Sequence, residues 1–139
     1  INLIAAENHS PDSILAAQGS MFALKAAEGY PGARFHAGCD PSDALEQLAS
    51  VRCCQLYGAD HANVQPHSGV SANLAVYFSA LDIGDRILSM RLSHGGHLSH
   101  GDPSSLTSKC FSFSHYSVDP QTERIDYDRV LPQRKVVDP

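Results

Sequence analysis

The stretch Gln65-Pro66-His67-Ser68-Gly69-Val70-Ser71-Ala72-Asn73 does most to limit what this chain can fold into. Residues 61–65 read as a short strand, residues 66–69 as a turn, and apolar residues at 72, 75, 76, 78, 80 and 81 predict a helix over 71–81. A strand that passes through a Ser-Gly turn into a helix is a unit of α/β architecture. The first amides of a helix lack internal partners, and its dipole favours negative charge there. The turn is therefore a candidate seat for an anionic small molecule such as a phosphate. Gly69 lets the backbone come close, and Ser68 or Ser71 adds a hydroxyl. An ordinary capped turn fits the same spacing, and spacing alone does not choose between them.

The remaining punctuation agrees with alternating elements. Ser10-Pro11-Asp12 predicts a helix start, with Ser as the cap and Pro in the first turn, running through Ile14, Leu15 and Gln18. Residues 29–38 hold Pro31 and three glycines and are expected to be an irregular loop. Asp40-Pro41 opens a second helix, with Ala44, Leu45, Leu48, Val51, Arg52 and Leu56 at helical spacing, and Gly58 ends it. A turn at 82–85 leads into a strand over 86–90, a Gly- and His-rich loop follows at 94–100, and residues 111–116 form another strand candidate. Asp126 opens a final helix. The expected fold is α/β, with a mixed, mostly parallel sheet flanked by helices.

Composition narrows the function classes. At 42% hydrophobic and 18% charged the chain resembles an ordinary globular protein, and 139 residues suffice for one domain with a modest core. A net charge of -5 with ten scattered basic residues argues against a nucleic-acid surface. No apolar run approaches the ~20 residues of a membrane span, and no signal peptide is legible. Cys39, Cys53, Cys54 and Cys110 form no CxxC pair, so reduced thiols and a cytoplasmic setting are expected. The opening on Ile1, Leu3 and Ile4 and the close on Val136-Val137-Asp138-Pro139 read as the edges of a segment cut from a longer protein.

Two further constellations carry chemistry. His94, His97 and His100 lie within seven residues, but no Cys or carboxylate joins them, so no metal site is expected. An imidazole stacked on a flat ligand and plain loop packing both fit. Glu28, beside the rigid Gly29-Tyr30-Pro31-Gly32, is a candidate general acid or base, or a solvated carboxylate. Glu7 has the same ambiguity.

Taken in order, these pieces resemble serine hydroxymethyltransferase, a pyridoxal-phosphate enzyme. The matching stretches are Leu3-Ile4-Ala5-Ala6-Glu7-Asn8, Ala27-Glu28-Gly29-Tyr30-Pro31-Gly32, Gly58-Ala59-Asp60, Ala62-Asn63-Val64-Gln65-Pro66-His67-Ser68-Gly69, His94-Gly95-Gly96-His97-Leu98, Asp119-Pro120 and Ile125-Asp126-Tyr127. The resemblance implies a fold type I, aspartate-aminotransferase-like large domain, of which residues 1–139 would be the N-terminal portion. It implies transfer of a one-carbon unit between serine and glycine with tetrahydrofolate as carrier, in a homodimer or dimer of dimers with active sites at the interface. By matched position, Ser68 and Gly69 would hold the cofactor phosphate and His97 would stack on its pyridine ring. Glu28 would reach from a neighbouring subunit toward the substrate hydroxyl and the folate. Leu92, Gly96 and Leu98 would line the folate site, and His36 would stand on the substrate side.

The chain also departs from the family pattern. Ala6 stands where the family has Ser, Ala26 where it has Tyr, and Phe35-His36-Ala37-Gly38 where it has two tyrosines and two glycines. Val70 replaces the second serine of a Ser-Gly-Ser phosphate turn. Each lost hydrogen bond would weaken binding by about 0.5–1.5 kcal/mol. Lys25, Lys109 and Lys135 are the only lysines, and none has the family's Thr-Thr-His-Lys setting for the Schiff base. The catalytic-lysine segment and the small domain are expected outside this chain, which alone would be inactive. Two alternatives accompany this reading: a folate-independent pyridoxal-phosphate aldolase or transaldolase acting on β-hydroxy amino acids, and a non-catalytic remnant.

Overall fold

A computed structural model of the chain describes residues 3, 4 and 6–134. The sequence features at Ile1, Ala5, Lys135 and 136–139 lie outside the described residues. The chain divides into two compact units, residues 1–65 and 66–139.

The first unit is built on helices and one hairpin. Helix α1 spans Asp12–Gln18. Pro11, not Ser10, occupies its N-cap position, and no side chain caps it. A single 3-10 turn follows at Met21–Leu24. The segment expected to be an irregular loop instead forms two short antiparallel strands, β1 (Gly29–Tyr30) and β2 (Ala33–Arg34). Gly29 makes that pairing possible. Its φ is +96°, and a Cβ there would stand 2.4 Å from the Ala33 carbonyl oxygen. Helix α2 runs over Asp40–Tyr57, with Asp40 and Asp43 in its first turn, and ends at Gly58 in the left-handed conformation (φ 62°).

The strand expected at 61–65 does not form. Its backbone is diverted locally: the Asn63 Oδ1 accepts from the Gln65 amide at 2.9 Å, an Asx turn. The Gln65 side chain then donates to the Gly29 carbonyl at 2.9 Å and to Glu46 Oε1 at 2.8 Å. Such polar anchoring replaces ladder pairing.

The second unit has the α/β character expected of the whole. Helix α3 spans Gly69–Ala80, and a turn around Gly84 leads into β3 (Arg86–Met90). Two 3-10 turns, Leu92–His94 and Leu98–His100, occupy the histidine-rich stretch. Helix α4 (Thr107–Cys110), one turn long and not anticipated from the pattern, precedes β4 (Ser112–Tyr116). Strands β3 and β4 pair in parallel from Arg86 with Ser112 to Met90 with Tyr116. Helix α5 (Tyr127–Arg134) starts after Asp126, whose Oδ1 accepts from the amides of Asp128 and Arg129 at 3.1 and 3.3 Å.

Aromatic edges hold this second unit together. Phe111 is buried, with Tyr77 and Phe78 of α3 packed on it at ring distances of 5.6 and 5.3 Å. Tyr77 also meets Phe113 edge-on. No described helix is long and apolar enough to cross a membrane.

Candidate functional site

In the second unit the site grows from the start of α3. Ser68 holds the N-cap in extended conformation, and its Oγ accepts from the Ser71 amide at 3.2 Å. That leaves the amides of Gly69 and Val70, to which no described residue provides an acceptor. A Cβ placed on Gly69 would meet nothing within 4 Å. The Ser71 hydroxyl stands 3.0 Å from that of Ser68. Val70 has no hydroxyl, but a second one is present one residue further along. Two uncommitted amides and two hydroxyls at the positive end of a helix form a donor set suited to a phosphate.

About one turn into the same helix lies Asn73. Its Nδ2 donates to the Ser99 Oγ at 2.8 Å, and that oxygen lies 2.8 Å from His97 Nδ1. The Ser99 amide also donates to Nδ1, at 3.2 Å. Ser99 is buried, whereas His97 presents its ring to the surface. Hydrogen bonds thus link helix α3, through Asn73 and Ser99, to His97.

The three histidines have separate tasks. His94 Nδ1 accepts from the Val118 amide at 3.1 Å. His100 bonds through Nδ1 to the Tyr77 hydroxyl. Burial, and then the neighbouring His97, holds His100 below the ordinary imidazole pKa, while burial pushes the Tyr77 phenol up. No group of three or more potential ligands for a metal ion occurs among the described residues. Gly96 is needed by the backbone itself: a Cβ there would stand 2.2 Å from the Met90 carbonyl oxygen. Leu92 and Leu98, which open the two 3-10 turns, are about half exposed.

Glu28 and His36 belong to the first unit. The Glu28 carboxylate is exposed and contacts the His36 Nε2. The hairpin beside them is pinned to α2 by Arg34, a residue the sequence reading passed over. Its Nε bonds Asp43 at 2.7 Å, its Nη2 bonds Glu46 at 2.6 Å, and its Nη1 donates to the carbonyls of Ala27 and Gly29 at 2.7 and 2.8 Å. The signal that could have revealed it is an Arg next to a Pro-Gly turn, followed by acids on one helix face. Hydrogen bonds from Arg34 and the Gly32 amide hold the Asp43 carboxyl below its usual range. Lys25 donates to the Ala37 carbonyl at 2.8 Å.

A family model described as serine hydroxymethyltransferase matches residues 1–139. The chain belongs to the serine hydroxymethyltransferase family. A relative named serine hydroxymethyltransferase from Natronomonas pharaonis is 52% identical over 137 residues, covering 99% of this chain and 32% of that protein. Namesakes from Haloquadratum walsbyi and from Synechococcus sp. (strain JA-3-3Ab) are each 55% identical, over 91% and 94% of this chain and 30% of their own lengths. The chain therefore spans about a third of the length of the curated relatives it matches.

Proposed function

We propose that this chain is part of the large, cofactor-binding domain of a pyridoxal-phosphate-dependent serine hydroxymethyltransferase of fold type I. The reaction is interconversion of serine and glycine with tetrahydrofolate as the one-carbon carrier. The observation that carries this reading is the start of α3, where open amides and paired hydroxyls stand one helical turn from an amide bonded through Ser99 to His97. A donor set for a phosphate and an imidazole, joined through one helix, suit a ligand with a phosphate at one end and a flat ring at the other.

When bound, pyridoxal phosphate supplies an electron sink for bonds breaking at the amino acid's α-carbon. The chain's own residues bind and orient. The amides of Gly69 and Val70, with the hydroxyls of Ser68 and Ser71, take the phosphate. The His97 ring packs on the pyridine face. Leu92 and Leu98 offer apolar surface to the folate, with Gly96 keeping the loop close to β3. Glu28, presented from a neighbouring copy in a homodimer or dimer of dimers, holds or moves a proton at the substrate hydroxyl, with His36 against its carboxylate. Lys25 is bonded to a backbone carbonyl, and the lysine that anchors the cofactor is assigned downstream of residue 139 together with the small domain. Four free cysteines are in keeping with a reducing, cytoplasmic compartment.

The test is serine turnover by the full natural chain with and without tetrahydrofolate. Glycine formation that depends on the folate, and that falls at least tenfold in Glu28→Gln, supports the proposal. Cleavage of β-hydroxy amino acids at equal rates in the two conditions would replace it with the folate-independent aldolase.

A further inference from the structure

We infer that Asn73 is a positioning residue that sets which nitrogen of His97 carries the proton. An Asn amide nitrogen can only donate. Asn73 Nδ2, 2.8 Å from the Ser99 Oγ, therefore makes that oxygen an acceptor and leaves its one proton for its other neighbour, His97 Nδ1 at 2.8 Å. The Ser99 amide, also purely a donor, points at the same Nδ1 at 3.2 Å. A nitrogen that receives two donors carries no proton, so the neutral ring bears its hydrogen on Nε2. Ser99 is 1% exposed, which shields its hydroxyl from competing water.

The arrangement joins two jobs in one helix. The first turn of α3 presents its open amides, and Asn73, a turn later, fixes the protonation pattern and rotation of the imidazole. Movement of α3 relative to the Leu98–His100 turn would stretch the Asn73–Ser99 bond and release the Ser99 hydroxyl from the direction that bond imposes. The significance of this for the reaction rests on the proposed reading of His97 as the residue that stacks on the cofactor; the hydrogen-bond direction itself does not.

The experiment is nitrogen NMR of the full natural chain, labelled with 15N-histidine and free of cofactor, with the His97 signals assigned by their loss in His97→Gln. The expected result is an Nδ1 signal typical of an unprotonated ring nitrogen and an Nε2 signal typical of a protonated one. Asn73→Asp reverses the relay, because the carboxylate draws the Ser99 proton and frees the Oγ to accept from Nδ1. The two signals should then move toward one another. Ser99→Ala, which removes the hydroxyl, should make the Nδ1-protonated form detectable and serves if the Asp variant does not fold. A protonated Nδ1 in the unaltered protein, or unchanged signals in a folded variant, would overturn the inference. Cofactor affinity, measured separately in Ser68→Ala, tests the cofactor reading, so the two failures are distinguishable.

Discussion

Arg34 and Asp43 meet at 2.7 Å, Nε to Oδ1, and this pair fastens the hairpin that follows Glu28 to the first turn of α2. The guanidinium also donates to Glu46 and to the carbonyls of Ala27 and Gly29, and only 6% of the side chain is exposed. Lysine cannot reproduce this planar fork. Arg34→Ala and Arg34→Lys should both lower Tm, Ala by more, as followed by calorimetry. The Asp43 carboxyl titrates below its usual range, so the stability it contributes is present above the ordinary carboxylate pKa and is lost as pH falls through the depressed value. That acid limb should flatten in Arg34→Ala. An unchanged limb would assign the acid sensitivity to other groups.

Gly96 separates packing from ligand contact. A methyl group there would collide with the Met90 carbonyl and the Arg91 backbone, which cannot swing aside as a flexible side chain would. Gly96→Ala should cost about 1–3 kcal/mol of stability even with no folate present. Denaturant titration measures this. An alanine variant of native stability would contradict the packing explanation.

His100 gives a second pH signature. Its imidazole is held below the ordinary value, mainly by burial, so the fold favours the neutral ring. The stability from this group is complete above the unfolded pKa of about 6.5 and is lost as pH falls through the lower folded value. Tm measured from pH 8 to pH 5 should fall over that window in the native chain. His100→Asn should be less stable at pH 8 but show less of this fall.

Elements α2, α3 and β3 were legible because each carries apolar residues over several positions and is bounded by turn or cap residues. The strand expected at 61–65 was misread for the opposite reason: Asn63 and Gln65 draw the backbone into a turn and into contacts with Gly29 and Glu46. The hairpin at residues 29–34 was hidden because its glycines read as looseness, whereas Gly29 is required by a close carbonyl. At the candidate site, Ser68, Gly69 and His97 are proposed from motif and resemblance. The bonds of Asn73, Ser99 and Arg34 enter only with the structure, since Asn73 meets Ser99 across 26 positions and Arg34 meets Asp43 across 9.

The start of α3 is the proposed seat of the cofactor's phosphate. The direct measurement compares the affinities of pyridoxal 5′-phosphate and pyridoxal for the full natural chain, before and after Ser68→Ala. Loss of the cap costs about 1 kcal/mol of stability, but the ratio of the two affinities cancels that effect. One hydrogen bond to a charged group is worth about 1.5–3 kcal/mol, or roughly 10- to 100-fold in affinity. The prediction is a strong preference for the phosphorylated ligand that shrinks by about tenfold or more in the variant. Equal affinities in the native chain, or a preference untouched by Ser68→Ala, would contradict it.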